Sequence, residues 1–241
     1  MFKKIIIILF LNLIAKLNAI VLEDLIKNKK LNQTLKNKKV GYYLGSFDPI
    51  HKGHEAIVKT ILDKKLCDYI LIYPAWGGDD YKNRTDVKIR LKMLFSIFKN
   101  NKKVIVTKLN PLNLQKKLIK INTEYIGIIG SDLALSGQKN EKARDEFMSG
   151  AIVAQEYKKH THGCIIALPV KSFVVTIRNG DNIENLNNKI GNRKIIAKIE
   201  TKFGDISSTK IRNFTKSKKS INSLVSNNTA KIIKEYKLYK N

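Results

Sequence analysis

A chain of 241 residues with 43% hydrophobic residues can bury one sizeable core and is too apolar for a disordered polymer. Its formal charge of +26 rests on 46 basic residues, of which only six are arginine (84, 90, 144, 178, 193 and 212), so the excess is lysine. Lysine is the weaker residue for bidentate phosphate or base recognition, so the charge reads as a solvated surface rather than a dedicated nucleic-acid interface. Cys67 and Cys164 stand far apart with no CxxC or Cys/His cluster, which offers neither a zinc site nor a disulfide framework.

Residues 1–19 run Lys3-Lys4, an apolar stretch Ile5–Ala15 broken by Asn12, then Lys16-Leu17-Asn18-Ala19. That order matches a secretory signal peptide and is too short for a transmembrane helix. The expectation is export or organelle targeting, or a cytoplasmic protein if the leader is not functional. Residues 20–38 read as a Lys/Asn-rich leader: a short helix around Leu22-Glu23-Asp24-Leu25-Ile26, then a solvated tether into a single domain at 39–241.

From Lys39 onward, short apolar runs alternate with amphipathic stretches. Strands are predicted at Val40–Leu44, Tyr69–Tyr73, Val104–Thr107, Tyr125–Ile129, Ile165–Leu168, Phe173–Ile177 and Ile195–Ile199. Helices are predicted at Glu55–Lys64, Asp86–Lys99, Leu112–Lys120, Thr209–Lys216 and Thr229–Tyr239. Strands separated by helices predict an α/β fold with a doubly wound, mostly parallel sheet. Ligands of such sheets sit beyond the carboxyl ends of strands, which places function just after Leu44, Ile129 and Ile199.

Two motifs fall there. Gly45-Ser46-Phe47-Asp48-Pro49 follows the first strand, and His51-Lys52-Gly53-His54 opens the next helix. A glycine permits a sharp turn and close approach, and two imidazoles at a helix amino terminus can face one anion. As a metal site the pair is weak, because a third ligand is missing. Near the other end, Ile206-Ser207-Ser208-Thr209-Lys210-Ile211-Arg212 supplies a serine cap, hydroxyls and a guanidinium, a second anion cradle.

The first string resembles the HxGH signature of the nucleotidyltransferase superfamily, and its GSFDP lead resembles bacterial nicotinate-mononucleotide adenylyltransferases. The second is similar, residue for residue, to the ISSTxIR motif of those enzymes. Ile128-Ile129-Gly130-Ser131-Asp132 resembles their strand-end GxD, Val174–Gly180 their strand with a trailing RxG, and Lys231–Tyr239 their closing helix. The resemblance covers residues 39–239 and implies a Rossmann-like fold that transfers AMP from ATP to a phosphorylated acceptor, releasing pyrophosphate in NAD biosynthesis. It implies His51, His54 and Arg212 as catalytic residues. ATP contacts would come from Gly45, Ser46, Phe47, Gly53, Gly130, Asp132, Ile206, Ser207, Ser208 and Thr209. The acceptor would meet Trp76, Lys82 and Arg178, and Mg²⁺ would arrive with ATP rather than in a protein cage. Partners would be these small molecules, with a homo-oligomer compatible and neither nucleic acid nor a membrane span after leader removal expected. The chain departs from the family where a tryptophan usually follows GxD: Leu133–Lys139 holds no aromatic residue, which opens the question of nicotinate specificity. Phosphopantetheine or a phosphorylated alcohol as acceptor, a non-catalytic exported nucleotide binder, and a lysine-driven nucleic-acid binder are the alternatives.

Overall fold

The structure is a computed structural model that describes residues 20–75, 84–109, 111–139 and 170–240. The elements in chain order are β1 (Ile20–Val21), α1 (Leu22–Lys27), α2 (Leu31–Leu35), β2 (Lys39–Gly45), α3 (Lys52–Asp63), β3 (Tyr69–Pro74), α4 (Val87–Phe98) and β4 (Val104–Val106). They continue with α5 (Pro111–Leu118), β5 (Glu124–Gly130), α6 (Ser131–Lys139), β6 (Val170–Ile177), β7 (Lys189–Ile190), β8 (Arg193–Glu200), α7 (Ser208–Lys216) and α8 (Asn227–Glu235).

The strands form one sheet in the order β1-β4-β3-β2-β5-β6-β8-β7. Every neighbouring pair is parallel except β7 with β8. From β2 the chain winds outward through β3 and β4, then returns to place β5, β6 and β8 on the other side of β2. The sheet therefore switches direction between β2 and β5, where Tyr43 pairs with Ile128. Two diverging connections leave a crevice there, at the carboxyl ends of Gly45 and Gly130.

Alternation along the strands sorts side chains into two cores. Tyr43, Ile70, Ile72, Val104, Val106, Ile126, Ile128 and Val174 point toward α3, α4, α7 and α8. Val40, Tyr42, Leu71, Tyr73, Ile105, Tyr125 and Val175 point to the opposite face. Central parallel strands buried on both faces need continuous apolar runs, and β3 (Tyr-Ile-Leu-Ile-Tyr-Pro) is one.

The doubly wound parallel sheet is as the sequence predicts, and the predicted strands and helices that fall on described residues are present with ends shifted by a few positions. The strand expected at Ile165–Leu168 and the leader at 1–19 lie outside the described residues. Two segments differ. Helix α6 follows GxD where no element was predicted. The short helix expected around Leu22–Ile26 is α1, but the rest of residues 20–38 is not a solvated tether: β1 pairs with the β4 edge, and Leu22, Leu31 and Leu35 are buried in the second core. Glu23 anchors the segment, accepting from the Thr107 hydroxyl at 3.2 Å and the Lys108 N–H at 2.6 Å. Among the described residues no helix is long and apolar enough to cross a membrane.

Candidate active site

A cleft of about 540 Å³ opens at the sheet's switch point. Its floor is the turn after β2. Phe47 adopts a left-handed backbone, φ 46°, which folds its ring back under the strand end. A Cβ on Gly45 would stand 2.9 Å from that ring, so only glycine fits there. The ring meets Tyr43 edge-on at 5.2 Å and His54 at 5.0 Å, and the peptide that follows, Asp48–Pro49, is cis.

Asp48 and Arg90 hold this turn from below. Asp48 is 3% exposed and Arg90 fully buried. The Arg90 guanidinium donates from Nη1 to the Ser46 carbonyl at 2.7 Å and from Nε to the Thr85 carbonyl at 2.8 Å. Asp48 Oδ2 accepts the Thr85 N–H at 2.9 Å, and Oδ1 accepts the Tyr239 hydroxyl at 2.5 Å. Arg84 Nε donates to Ser46 Oγ at 2.9 Å. A buried charge persists only when so surrounded.

His51 is the N-cap of α3, with extended backbone, and its ring stacks on His54 with centroids 3.7 Å apart. The His51 N–H donates to His54 Nδ1 at 3.3 Å. That bond occupies Nδ1 as an acceptor, so the neutral His54 ring carries its proton on Nε2. Burial is the main cause holding His51 down to about 3, with Arg178 adding to it. His54 is also held well below the usual imidazole range, first by burial, then by His51 and Arg178. Both rings are therefore uncharged donors at neutral pH, and the cleft's positive charge belongs to Arg84, Arg178 and Arg212 on its walls.

The opposite wall is the amino terminus of α7. Ser207 caps it, accepting the Lys210 N–H at 3.1 Å, and the helix end adds a partial positive charge. Ser208 Oγ donates to the Pro49 carbonyl at 2.9 Å. Arg212 Nη1 donates to the Asp48 carbonyl at 2.8 Å, and Nη2 to Thr209 Oγ1 at 3.0 Å. The two motifs, some 160 positions apart in the chain, are thus bonded directly to each other. The third wall is the end of β5 and β6. Gly130, Asp132, Thr176 and Arg178 line it. The Ser131 hydroxyl and the Arg178 N–H, the latter at 2.7 Å, both donate to Asp181, which ties the two strand ends together.

The structure brings His51, His54, Arg212, Gly45, Ser46, Phe47, Gly130, Asp132, Ser207, Ser208, Thr209 and Arg178 onto one cleft. Two expected contacts sit elsewhere. Ile206 is buried in the core, where its aliphatic side chain anchors the start of α7. Gly53 is off the wall because it underlies the histidine: a Cβ there would meet the His51 ring at 3.0 Å. Trp76 and Lys82 lie outside the described residues. The sequence names Asp48 within the first motif but does not show it, Arg90 or Tyr239 as supports, because the bonds from Arg90 to Ser46 and from Tyr239 to Asp48 join distant positions. Sequence reasoning also missed Leu133, 61% exposed on the cleft wall, an apolar face where a polar residue would be expected.

The chain is similar to known proteins over most of its length. The cytidylyltransferase-like family model matches residues 42–214. A Fusobacterium nucleatum protein described as "probable nicotinate-nucleotide adenylyltransferase" is 34% identical over 82% of this chain and 98% of its own. A Clostridium novyi protein of the same description is 27% identical over 84% of this chain and 100% of its own. Among solved structures, the Plasmodium falciparum nicotinic acid mononucleotide adenylyltransferase complexed with NaAD superposes with a TM-score of 0.62 at 22% identity, covering 84% of this chain and 98% of that one.

Proposed function

Because the chain belongs to the cytidylyltransferase-like family and, within it, to the nicotinate-nucleotide adenylyltransferases, we propose that it transfers AMP from ATP to nicotinate mononucleotide and releases pyrophosphate. The observation that carries this reading is the pair of hydrogen bonds joining the two motifs, Ser208 to Pro49 and Arg212 to Asp48. They make one polyanion cradle from two helix amino termini, a pair of imidazole donors and three arginines.

In this reading an oxygen of the acceptor phosphate attacks the α-phosphorus of ATP in line. The new P–O bond forms as the bond to the bridging oxygen breaks, and pyrophosphate carries away the electron pair. No nucleophilic side chain is used; the chain positions the reactants and stabilises charge. His54 donates through Nε2 to the triphosphate, with His51 stacked against it. Ser208, Thr209 and Arg212 hold the β- and γ-phosphates as they leave. Gly45, Ser46 and Phe47 meet the nucleotide along the turn, Asp132 faces a ribose, and Arg178 meets the acceptor phosphate. Mg²⁺ enters as part of the ATP substrate. The acidic lining fits an ion carried on phosphates, since Asp48 has both oxygens engaged by Thr85 and Tyr239 and Asp132 is the other carboxylate on the wall.

The test is pyrophosphate release from Mg·ATP with nicotinate mononucleotide, nicotinamide mononucleotide or phosphopantetheine offered singly. Release with nicotinate mononucleotide, abolished in His54→Ala, supports the reading. A folded protein that binds ATP and stays silent with both pyridine mononucleotides would remove it.

A further inference from the structure

The chain after α8 does not trail into solvent. Lys237 and Tyr239 both take left-handed backbone, φ 50° and 58°, and the Leu238 N–H returns to the Ile233 carbonyl at 3.0 Å. Left-handed backbone is strained for a residue other than glycine, so contacts must hold the tail in this shape. Leu238 and Tyr239 pack against the core on the α3–α4 face. Beyond that packing, the Tyr239 hydroxyl reaches 191 positions back along the chain to Asp48 Oδ1, at 2.5 Å.

Asp48 is a junction. Its Oδ2 takes the Thr85 N–H and its carbonyl takes Arg212 Nη1. The residue is 3% exposed, so water does not replace a lost donor cheaply. Arg212 in turn bonds Thr209 Oγ1 through its other nitrogen. A line of contacts thus runs from the carboxy-terminal tyrosine, through one buried carboxylate, to the guanidinium that faces the triphosphate half of the cleft. We propose that Tyr239 is a positioning residue for that half: by holding the Asp48 carboxyl it aims the Asp48 carbonyl at Arg212 and so sets the guanidinium for the leaving phosphates. The inference rests on the functional reading above for the identity of those phosphates. Burial, and then the Asp48 charge, hold the Tyr239 hydroxyl protonated above the ordinary phenol range, which keeps it a donor throughout the neutral range.

Tyr239→Phe keeps the ring and its packing and removes only the hydroxyl. In the full chain, KM for ATP and Kd for inorganic pyrophosphate are expected to rise about tenfold, the scale of one buried group losing its partner. KM for the mononucleotide is expected to stay at the wild-type value, since Arg178 and Thr176 lie on the other wall. Tyr236→Phe serves as control: Tyr236 is 42% exposed on the same tail, and its hydroxyl meets Lys92 rather than the site. It is expected to behave as wild type. A merely structural role for Tyr239 would lower the melting temperature or the folded fraction while leaving pyrophosphate affinity per folded molecule unchanged, and that result would overturn the inference. A wild-type protein that binds Mg·ATP yet transfers nothing would instead defeat the functional reading and leave the affinity comparison intact.

Discussion

His51 and His54 stack at 3.7 Å in a setting that keeps both rings neutral, so in the proposed reaction they would contribute a donated N–H rather than a formal charge. A neutral donor already aimed at its acceptor needs no reorganisation during the reaction, which is where preorganised sites gain most. Replacing His54 by alanine should therefore lower turnover about 100-fold or more in a protein whose circular dichroism is unchanged; a rate within a few-fold of wild type would take His54 out of the mechanism. The same burial has a consequence for acid stability. The unfolded chain protonates His51 below its ordinary 6.5, whereas the folded chain does so only near 3. Between those values the unfolded state binds more protons, so the His51 contribution is fully present above about pH 6.5 and is lost as pH falls toward 3. His54 acts in the same direction. Urea midpoints measured from neutral to mildly acid pH should fall more steeply for wild type than for His51→Gln. Parallel slopes would mean that His51 is solvated in the folded state.

At the scale of elements, the amino termini of α3 and α7 do the positioning, and each is set by short-range chemistry that a sequence displays. A serine cap for α7, Ser207 or Ser208, was legible, and the structure gives it to Ser207; the close approach at Gly45 was legible too, although the left-handed turn itself falls on Phe47. The long apolar runs of β2, β3 and β5 announced themselves because central strands are buried on both faces. What stayed hidden was long-range. Nothing local marks Arg90 as fully buried, since its partners are two backbone carbonyls, and nothing links Tyr239 to Asp48. Helix α1 was legible as a short helix around Leu22, but α2, five residues among lysines and asparagines, is too short to show a periodic face, so Leu31 and Leu35 read as tether. Capping also sets how firmly α8 delivers the tail. Ser226 accepts the Thr229 N–H at 3.2 Å, and Ser226→Ala should cost about 1 kcal/mol in a denaturant titration. Lys92→Ala, which removes a half-exposed, solvent-screened ion pair with Glu235, should shift the same titration by less than the cap does. A larger loss from the lysine than from the cap would reverse this ordering.

For the whole molecule, the arginines and lysines divide the work. Arg84, Arg178 and Arg212 line the cleft and Arg90 supports its floor, so four of the six arginines in the sequence gather at one site, as recognition of phosphates requires. The lysines supply a diffuse field that would speed anionic substrates toward the cleft, an effect screened by salt. The integrity of the sheet beneath that site depends on residues that precede the motifs. Strand β1 covers the β4 edge through Ile20–Ile105 and Val21–Val106, and Leu22, Leu31 and Leu35 sit in the core with Leu71, Ile105, Leu114 and Leu118. Burying each leucine stabilises by about 1.5–3 kcal/mol, while a whole domain holds about 5–15 kcal/mol. Removing residues 20–38 would withdraw three such side chains and bare a parallel edge. A chain beginning at residue 39 should therefore melt far below one beginning at residue 20, or aggregate, even though every cleft residue is retained. Equal melting temperatures for the two would show that the segment lies on the fold without supporting it.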